Sequence, residues 1–399
     1  MRPRNKNRAG AADTRFMLAA VVLARRGLGR TSPNPAVGAV VVRGGRVVGR
    51  GFHRQAGAPH AEVVALAAAG PLARGATLYS TLEPCDHQGR TPPCTRAILA
   101  AGIARVVVGS CDPNPLVDGR GIARLRRAGV GVTRGVARAE CDALNTEWFR
   151  FIREGRPFVL LKAALTADGK IASGSGDSRW ITGAEARRRA RTLRAWADAV
   201  LVGAGTVRAD DPRLTARGAG RSPLRVVLDG ALSSNPAARV FGEAPPGALV
   251  VTAEGARPRA AARLRRRGVE LIEIPAREGR LSMAAVLAAL ARRGVVRLLV
   301  EGGADVHGQL LETGLWDRIV LFVAPRILGG AARPWPALPG GATMAEAIAL
   351  GEFAVEKVGR DALLLVDRPA PRSGPARTEG SGPTSRRNSP GSRTGSRRA

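Results

Sequence analysis

One imidazole, two thiols and a carboxylate stand in order along the first quarter of the chain, as His60-Ala61-Glu62, Pro84-Cys85 and Cys94. A catalytic zinc takes three N/S ligands, keeps a fourth position for water and works with a base beside it. His60, Cys85 and Cys94 are the candidate ligands, and Glu62 is the candidate proton shuttle. The general zinc-deaminase pattern is H-x-E followed by P-C-x-x-C. Its first half is intact, but Cys94 follows Cys85 across eight intervening residues. His87 is therefore an alternative third ligand. Cys94 is preferred, because it opens a helix where Cys85 closes a strand. The bland alternative, buried cysteines and a capping histidine without metal, makes the arrival of all four groups at element ends an accident.

The elements around these residues read as an α/β alternation. Ala36–Val42, the Gly44-Gly45 turn and Arg46–Phe52 form a strand, hairpin and strand. Ala61–Ala69 carries apolar residues at helical spacing and stops at Gly70-Pro71, so His60 and Glu62 open a helix. Ala76–Thr81 reads as a strand, 94–101 as a helix, 105–109 and 130–135 as strands, with a helix near 121–128. Both ligand-bearing segments thus sit at strand-to-helix crossings, where helix N-termini favour thiolates and a hydroxide. Ahead of them, an amphipathic helix over about 14–26, capped by Asp13 or Thr14, is expected.

A second alternation follows the Gly155-Arg156-Pro157 break. Its strands are expected at 158–164, 199–203, 224–229, 248–252, 270–274, 297–301, 318–323, 353–358 and 362–367, and its helices at 183–194, 256–267 and 283–292. Gly203-Ala204-Gly205-Thr206-Val207-Arg208 imitates a dinucleotide fingerprint but ends in Arg and lacks the ribose-reading acid. Glu301-Gly302-Gly303 is a glycine turn between strand and helix, suited to a pyrophosphate. The domains are read as a basic disordered N-terminus (1–12), an α/β domain that carries the candidate zinc site (13–150), a second α/β domain (151–368) and a basic disordered tail (369–399).

His60-Ala-Glu-Val63, Thr81-Leu-Glu-Pro-Cys-Asp-His-Gln-Gly-Arg-Thr-Pro-Pro-Cys94, Asp112-Pro-Asn-Pro115 and Ser32-Pro-Asn-Pro-Ala-Val-Gly38 together resemble the bifunctional riboflavin biosynthesis deaminase-reductase family. The second half resembles it through Leu165-Thr-Ala-Asp-Gly-Lys170, Ser178-Arg-Trp-Ile-Thr182, Gly205–Thr215 and Val300-Glu-Gly-Gly303. The family has the long cysteine spacing found here. The resemblance implies a cytidine-deaminase-like three-layer sandwich followed by a dihydrofolate-reductase-like α/β domain. It also implies two reactions: zinc-dependent hydrolytic deamination of a diaminopyrimidinone bearing a ribosylamino 5'-phosphate, then NADPH-dependent reduction of the ribosyl group to ribityl. Carried over to matching positions, Asn34, His53, Arg90 and Asn114 contact the first substrate, with Arg90 on its phosphate. Ala164, Trp180, Thr206, Asp210 and the run Gly303, Ala304, Asp305, Val306, His307, Gly308 and Gln309 line the NADPH site. Ser178, Arg194, Leu214, Arg217 and Glu301 hold the second substrate, and Lys162 stands near the ribose that accepts hydride.

Composition narrows the alternatives. At 399 residues and 45% hydrophobic content the chain can bury two cores. Four irregularly spaced cysteines point to reduced thiols, not a secreted disulfide framework. A net charge of +31 raises nucleic acid as a partner, and a zinc nucleobase deaminase acting on nucleic acid is the alternative function. The arginine bias is chain-wide, aromatic residues are only 4%, and such an enzyme leaves residues 158–367 unexplained, so no nucleic-acid partner is expected. A non-catalytic nucleotide-binding module does not account for the intact ligand set. Arg2–Arg8 before Phe16–Ala24 imitates a signal peptide, but Arg25-Arg26 stands where small cleavage-site residues belong. With no apolar run of membrane length, a cytoplasmic homo-oligomeric enzyme is expected.

Overall fold

The computed structural model describes residues 6–242, 246–277, 279–338 and 343–369, with side chains from residue 10 onward. The expected tail from 370 and the first five residues lie outside this set. In chain order the first part comprises α1 (Lys6–Ala24), β1 (Gly38–Arg43), β2 (Arg46–Phe52), α2 (Ala61–Ala69), β3 (Thr77–Leu82), α3 (Cys94–Ala100), β4 (Arg105–Ser110), α4 (Arg120–Arg127), β5 (Gly131–Arg134), α5 (Arg138–Leu144) and α6 (Thr146–Glu154). The strands form one sheet in the order β2-β1-β3-β4-β5, with β1 antiparallel to both neighbours and β3, β4 and β5 parallel. Strand alternation divides its apolar residues cleanly. Ala39, Val41, Leu78, Val106 and Val108 face a core with α2, whereas Val40, Val42, Tyr79 and Val107 face α1 and α5. Helices on both faces give the three layers expected.

Helix α1 begins at Lys6, well before the expected start near residue 14. Ala9, Ala11 and Ala12 are strong helix formers that extend it. Asp13, expected as a cap, is inside the helix instead. Its carboxylate accepts the Tyr79 hydroxyl at 2.7 Å and two Arg105 N–H groups at 3.0 and 2.6 Å.

The second part contains β6 (Phe158–Thr166), β7 (Lys170–Ala172), α7 (Ala184–Trp196), β8 (Ala199–Gly203), α8 (Ala204–Asp210), β9 (Leu224–Leu228), β10 (Ala248–Ala253), α9 (Pro258–Arg266), β11 (Glu270–Ile274), β12 (Ala276–Arg277), β13 (Arg280–Leu281), α10 (Met283–Arg292), β14 (Arg297–Gly302), α11 (Ala304–Glu312), β15 (Arg318–Ala324), β16 (Arg333–Pro334), β17 (Ala354–Val358) and β18 (Asp361–Asp367). Nine strands form a sheet in the order β11-β10-β9-β8-β14-β6-β15-β18-β17. The first seven run parallel, β18 pairs antiparallel with β15, and β17 pairs antiparallel with β18. Cores lie on both faces, one with α10 and α11 and the other with α7 and α9. This doubly covered sheet explains why its central strands read as continuous apolar runs. Central β14 and β6 deliver Glu301 and Lys162 to one site.

Candidate functional site

In the first sheet, His60 stands in extended conformation just before α2, Glu62 is in that helix's first turn, Cys85 follows β3 and Cys94 opens α3. His60 Nδ1 lies 3.1 Å from Cys94 Sγ and 3.5 Å from Cys85 Sγ, and the two sulfurs are 3.5 Å apart. A tetrahedral zinc with ordinary Zn–S and Zn–N bonds has edges of about 3.6–3.8 Å between such donors. The three residues fit it with a shift of a few tenths of an ångström, and they form the metal-ligating cluster found among the described residues. His87 is not in that cluster, which Cys94 completes.

The surroundings suit a dication. His60 Nε2 reaches Thr91 Oγ1 at 3.2 Å, which leaves Nδ1 facing the sulfurs. The Cys94 N–H donates to Cys85 Sγ at 3.4 Å. The sulfur-to-sulfur hydrogen bond with Cys94, with His60 beside it, holds the Cys85 thiol down to about 4 despite burial. Cys94 is held up by that same bond and by burial. One thiolate and one thiol beside the imidazole is a set that a dication deprotonates fully on binding. Glu62 is 3% exposed, accepts the Ser80 hydroxyl at 3.2 Å and has Cys94 Sγ at 3.6 Å. Burial pushes its carboxyl up from the ordinary range, against the pull of His60.

Asn34 and His53 come together beside this cluster. His53 Nδ1 donates to the Pro59 carbonyl at 3.2 Å, so its Nε2 accepts from Asn34 Nδ2 at 3.1 Å, and its ring meets the His60 ring edge-on at 5.3 Å. Burial lowers the His53 pKa and keeps it neutral. Arg90 is exposed on the loop between the two cysteines. Asn114 is committed to its own turn, where its Oδ1 accepts the Leu116 N–H at 3.0 Å. Thr91 and Ser80 were not singled out from sequence, although Thr91 sits three residues before a ligand cysteine.

In the second sheet, a cleft of about 590 Å³ opens between β6, β8, β14 and α7. It is lined by Lys162, Ala164, Ser178, Trp180, Arg194, Thr206, Asp210, Leu214, Arg217, Glu301, Gly303, Ala304 and His307. From the 303–309 run, Asp305 is exposed, Val306 packs in the core, Gly308 abuts the Ala337 backbone and Gln309 is half-buried, so α11 turns these four away from the lining. Arg194 makes a bidentate pair with Glu301, at 2.6 and 2.7 Å, and donates to the Thr215 carbonyl at 3.2 Å. Burial would raise Glu301, but Arg194 and Lys162 outweigh it and hold the group ionised. Burial lowers the Lys162 ammonium. Thr206 Oγ1 crowds Gly302 and Gly303, where an added Cβ would come within 3.1 and 3.3 Å of it.

Trp335 also lines the cleft and was not expected there. Its indole N–H donates to His307 Nδ1 at 2.6 Å, while His307 Nε2 donates to the Val300 carbonyl at 3.1 Å. Two such partners admit only the neutral imidazole, and burial carries its pKa down to about 4. Arg187 and Arg191 join Arg194 on the cleft face of α7, and Arg187 stacks on Trp180 at 4.6 Å. The spacing 187, 191, 194 on one helix was the available signal.

The "RibD C-terminal domain" family matches residues 157–364, and the "Cytidine and deoxycytidylate deaminase zinc-binding region" family matches residues 11–110. The riboflavin biosynthesis protein RibD of Aquifex aeolicus is 42% identical over 358 residues, covering 89% of this chain and 98% of that protein. This decides the family. The chain belongs to the RibD family. The Escherichia coli RibD protein is 40% identical over 366 residues, covering 88% of this chain and 98% of its own. The solved Acinetobacter baumannii RibD superposes with a TM-score of 0.82 at 37% identity, covering 90% of this chain and all of that one. A Thermotoga maritima structure described as a diaminohydroxyphosphoribosylaminopyrimidine deaminase/5-amino-6-(5-phosphoribosylamino)uracil reductase gives 0.78 at 38%, with the same coverage of this chain and 100% of its own. RibD membership gives both sheets a role and disfavours the nucleic-acid deaminase reading. No helix among the described residues is long and apolar enough to cross a membrane.

Proposed function

We propose that the two sites divide the work of one bifunctional enzyme, with deamination at His60, Glu62, Cys85 and Cys94 and reduction in the cleft around Lys162 and Glu301. As a RibD family member the chain is a zinc-dependent deaminase and NADPH-dependent reductase of riboflavin biosynthesis, acting on a small phosphorylated pyrimidine. The observation that carries the residue assignment is the three-donor cluster with a buried carboxylate beside it, on a sheet separate from the cleft.

His60, Cys85 and Cys94 would hold the zinc. When bound, zinc lowers the pKa of a coordinated water toward about 7 and so supplies a nucleophile at neutral pH. Glu62, buried beside Cys94, would take a proton from the attacking water and return it to the leaving ammonia. Asn34 and His53 present an amide and a neutral imidazole to the pyrimidine edge, Asn114 adds a further polar contact, and Arg90 meets the phosphate. In the cleft NADPH supplies a hydride. Ala164, Trp180, Thr206, Asp210, Gly303, Ala304 and His307 would bind it, while Ser178, Arg194, Leu214, Arg217 and Glu301 orient the ribosyl substrate beside Lys162. The arginine-rich lining suits two phosphorylated ligands. The working division of the chain is 13–150 and 151–368, in a cytoplasmic homo-oligomer.

The test is separation of function. Glu62→Gln should stop ammonia release while NADPH oxidation with the deaminated substrate continues, and Lys162→Met should do the reverse. Loss of both activities in either variant contradicts separate sites.

A further inference from the structure

Residues 111–156 lie between the two family matches, and this stretch contains a buried amide with specific partners. Asn145 sits at the junction of α5 and α6 with φ −130° and ψ 24°. It is 3% exposed. Its Oδ1 accepts the Ala36 N–H at 2.8 Å, and its Nδ2 donates to the Ala36 carbonyl at 2.9 Å. One side chain thus satisfies both backbone groups of a residue 109 positions away, as a neighbouring strand would.

Ala36 is two residues from Asn34, in the loop that leads into β1. Beyond it, the His53 N–H donates to the Val37 carbonyl at 2.9 Å, and Asn34 reaches the His53 ring that stands against His60. The same loop abuts the turn between α10 and β14, where a Cβ on Gly294 would stand 3.7 Å from Pro33. Helix α6, which Asn145 begins, is itself tied to the large sheet through Arg150 and Asp317 at 3.0 Å, with Arg156 adding a second contact to Asp317 at 2.6 Å.

We propose that Asn145 is a positioning residue for deamination, holding the Asn34 loop beside the zinc ligands without itself touching substrate or metal. The inference rests on the reading that Asn34 contacts the pyrimidine. Without the amide, the Ala36 N–H and C=O lack partners in a dry interior, and the loop moves to find others. A displacement of that kind costs activity while leaving remote chemistry intact.

The experiment uses full-length, zinc-loaded protein carrying Asn145→Asp, which keeps size and acceptor but loses the donor, and Asn145→Leu, which loses both. Deaminase kcat and KM, bound zinc and reductase kcat/KM are measured for each, for Asn34→Ala and for the two double variants. The expected result is a fall of about tenfold or more in deaminase kcat/KM, with zinc content and reduction unchanged. On the Asn34→Ala background most of that loss should disappear, because the loop no longer carries the contact. Deamination at the wild-type level in the Asn145 variants overturns the inference, as does parallel loss of zinc and reductase activity. If Asn34→Ala deaminates normally, the substrate-contact reading falls and takes the inference with it. If Asn34→Ala is impaired and Asn145→Asp is not, the inference alone falls. Should Asn145→Leu fail to fold, Asn145→Asp decides.

Discussion

Gly121→Ala separates this account from a propensity argument. Gly121 is buried inside α4 with a negative φ, where exchange of glycine for alanine ordinarily stabilises a helix by about 1 kcal/mol. Here the new methyl would overlap the Pro84 carbonyl oxygen, stand 3.1 Å from the Pro84 carbonyl carbon and lie 3.6 Å from Glu83 Oε1. Restoring a normal carbon–oxygen contact of about 3.3 Å requires helix and loop to part by more than ~1 Å. Pro84 precedes the ligand Cys85, and Glu83 caps the same helix by accepting the Gly119 and Ile122 N–H groups at 3.2 and 3.3 Å. Zinc sites tolerate only about 0.2 Å in ligand distance. The substitution should therefore weaken zinc binding by about 10–100-fold, the range seen when outer supports of a ligand are lost. Chelator competition measures the affinity, and NADPH oxidation with the deaminated substrate serves as the internal control. Wild-type zinc affinity together with a raised melting temperature would refute the reasoning.

Other outcomes follow from the cleft and its neighbours. Arg194→Ala leaves Glu301 buried with only Lys162 nearby, and breaking a buried pair of this kind costs about 3–5 kcal/mol. Thermal unfolding should report that loss, and reductase activity should collapse with it. His307 titrates at about 4 in the fold, against an ordinary value near 6.5. The unfolded chain binds the extra proton between those values, so stability is full above pH 6.5 and declines as pH falls toward 4, by about 3 kcal/mol in all. His307→Gln should flatten that part of the stability–pH curve, measured by denaturant unfolding. Removing zinc with a chelator should abolish deamination and leave reduction intact, and zinc readdition should restore it.

The three-donor cluster was legible in the sequence because its members lie at element ends within 35 residues of one another, and period-two and helical patterning place those ends well. Asp13 was misread as a cap because the partners that draw it inside, Tyr79 and Arg105, are 66 and 92 residues away. The family's 303–309 run transferred as a contiguous block, but a helix shows only one side to a cleft, and Gly303, Ala304 and His307 take it. The remaining arginines of the cleft were hidden by abundance, since 63 Lys and Arg residues leave no single one conspicuous. Trp335 directly follows a short strand, β16, whose pairing with β7 could be seen only in three dimensions.

The most direct measurement supplies the diaminopyrimidinone phosphate to the zinc-loaded enzyme with and without NADPH and identifies the products by mass. The account predicts loss of the exocyclic amine in both reactions, and gain of two hydrogens on the sugar only where NADPH is present. Reduction preceding deamination, or deamination that requires NADPH, would contradict it.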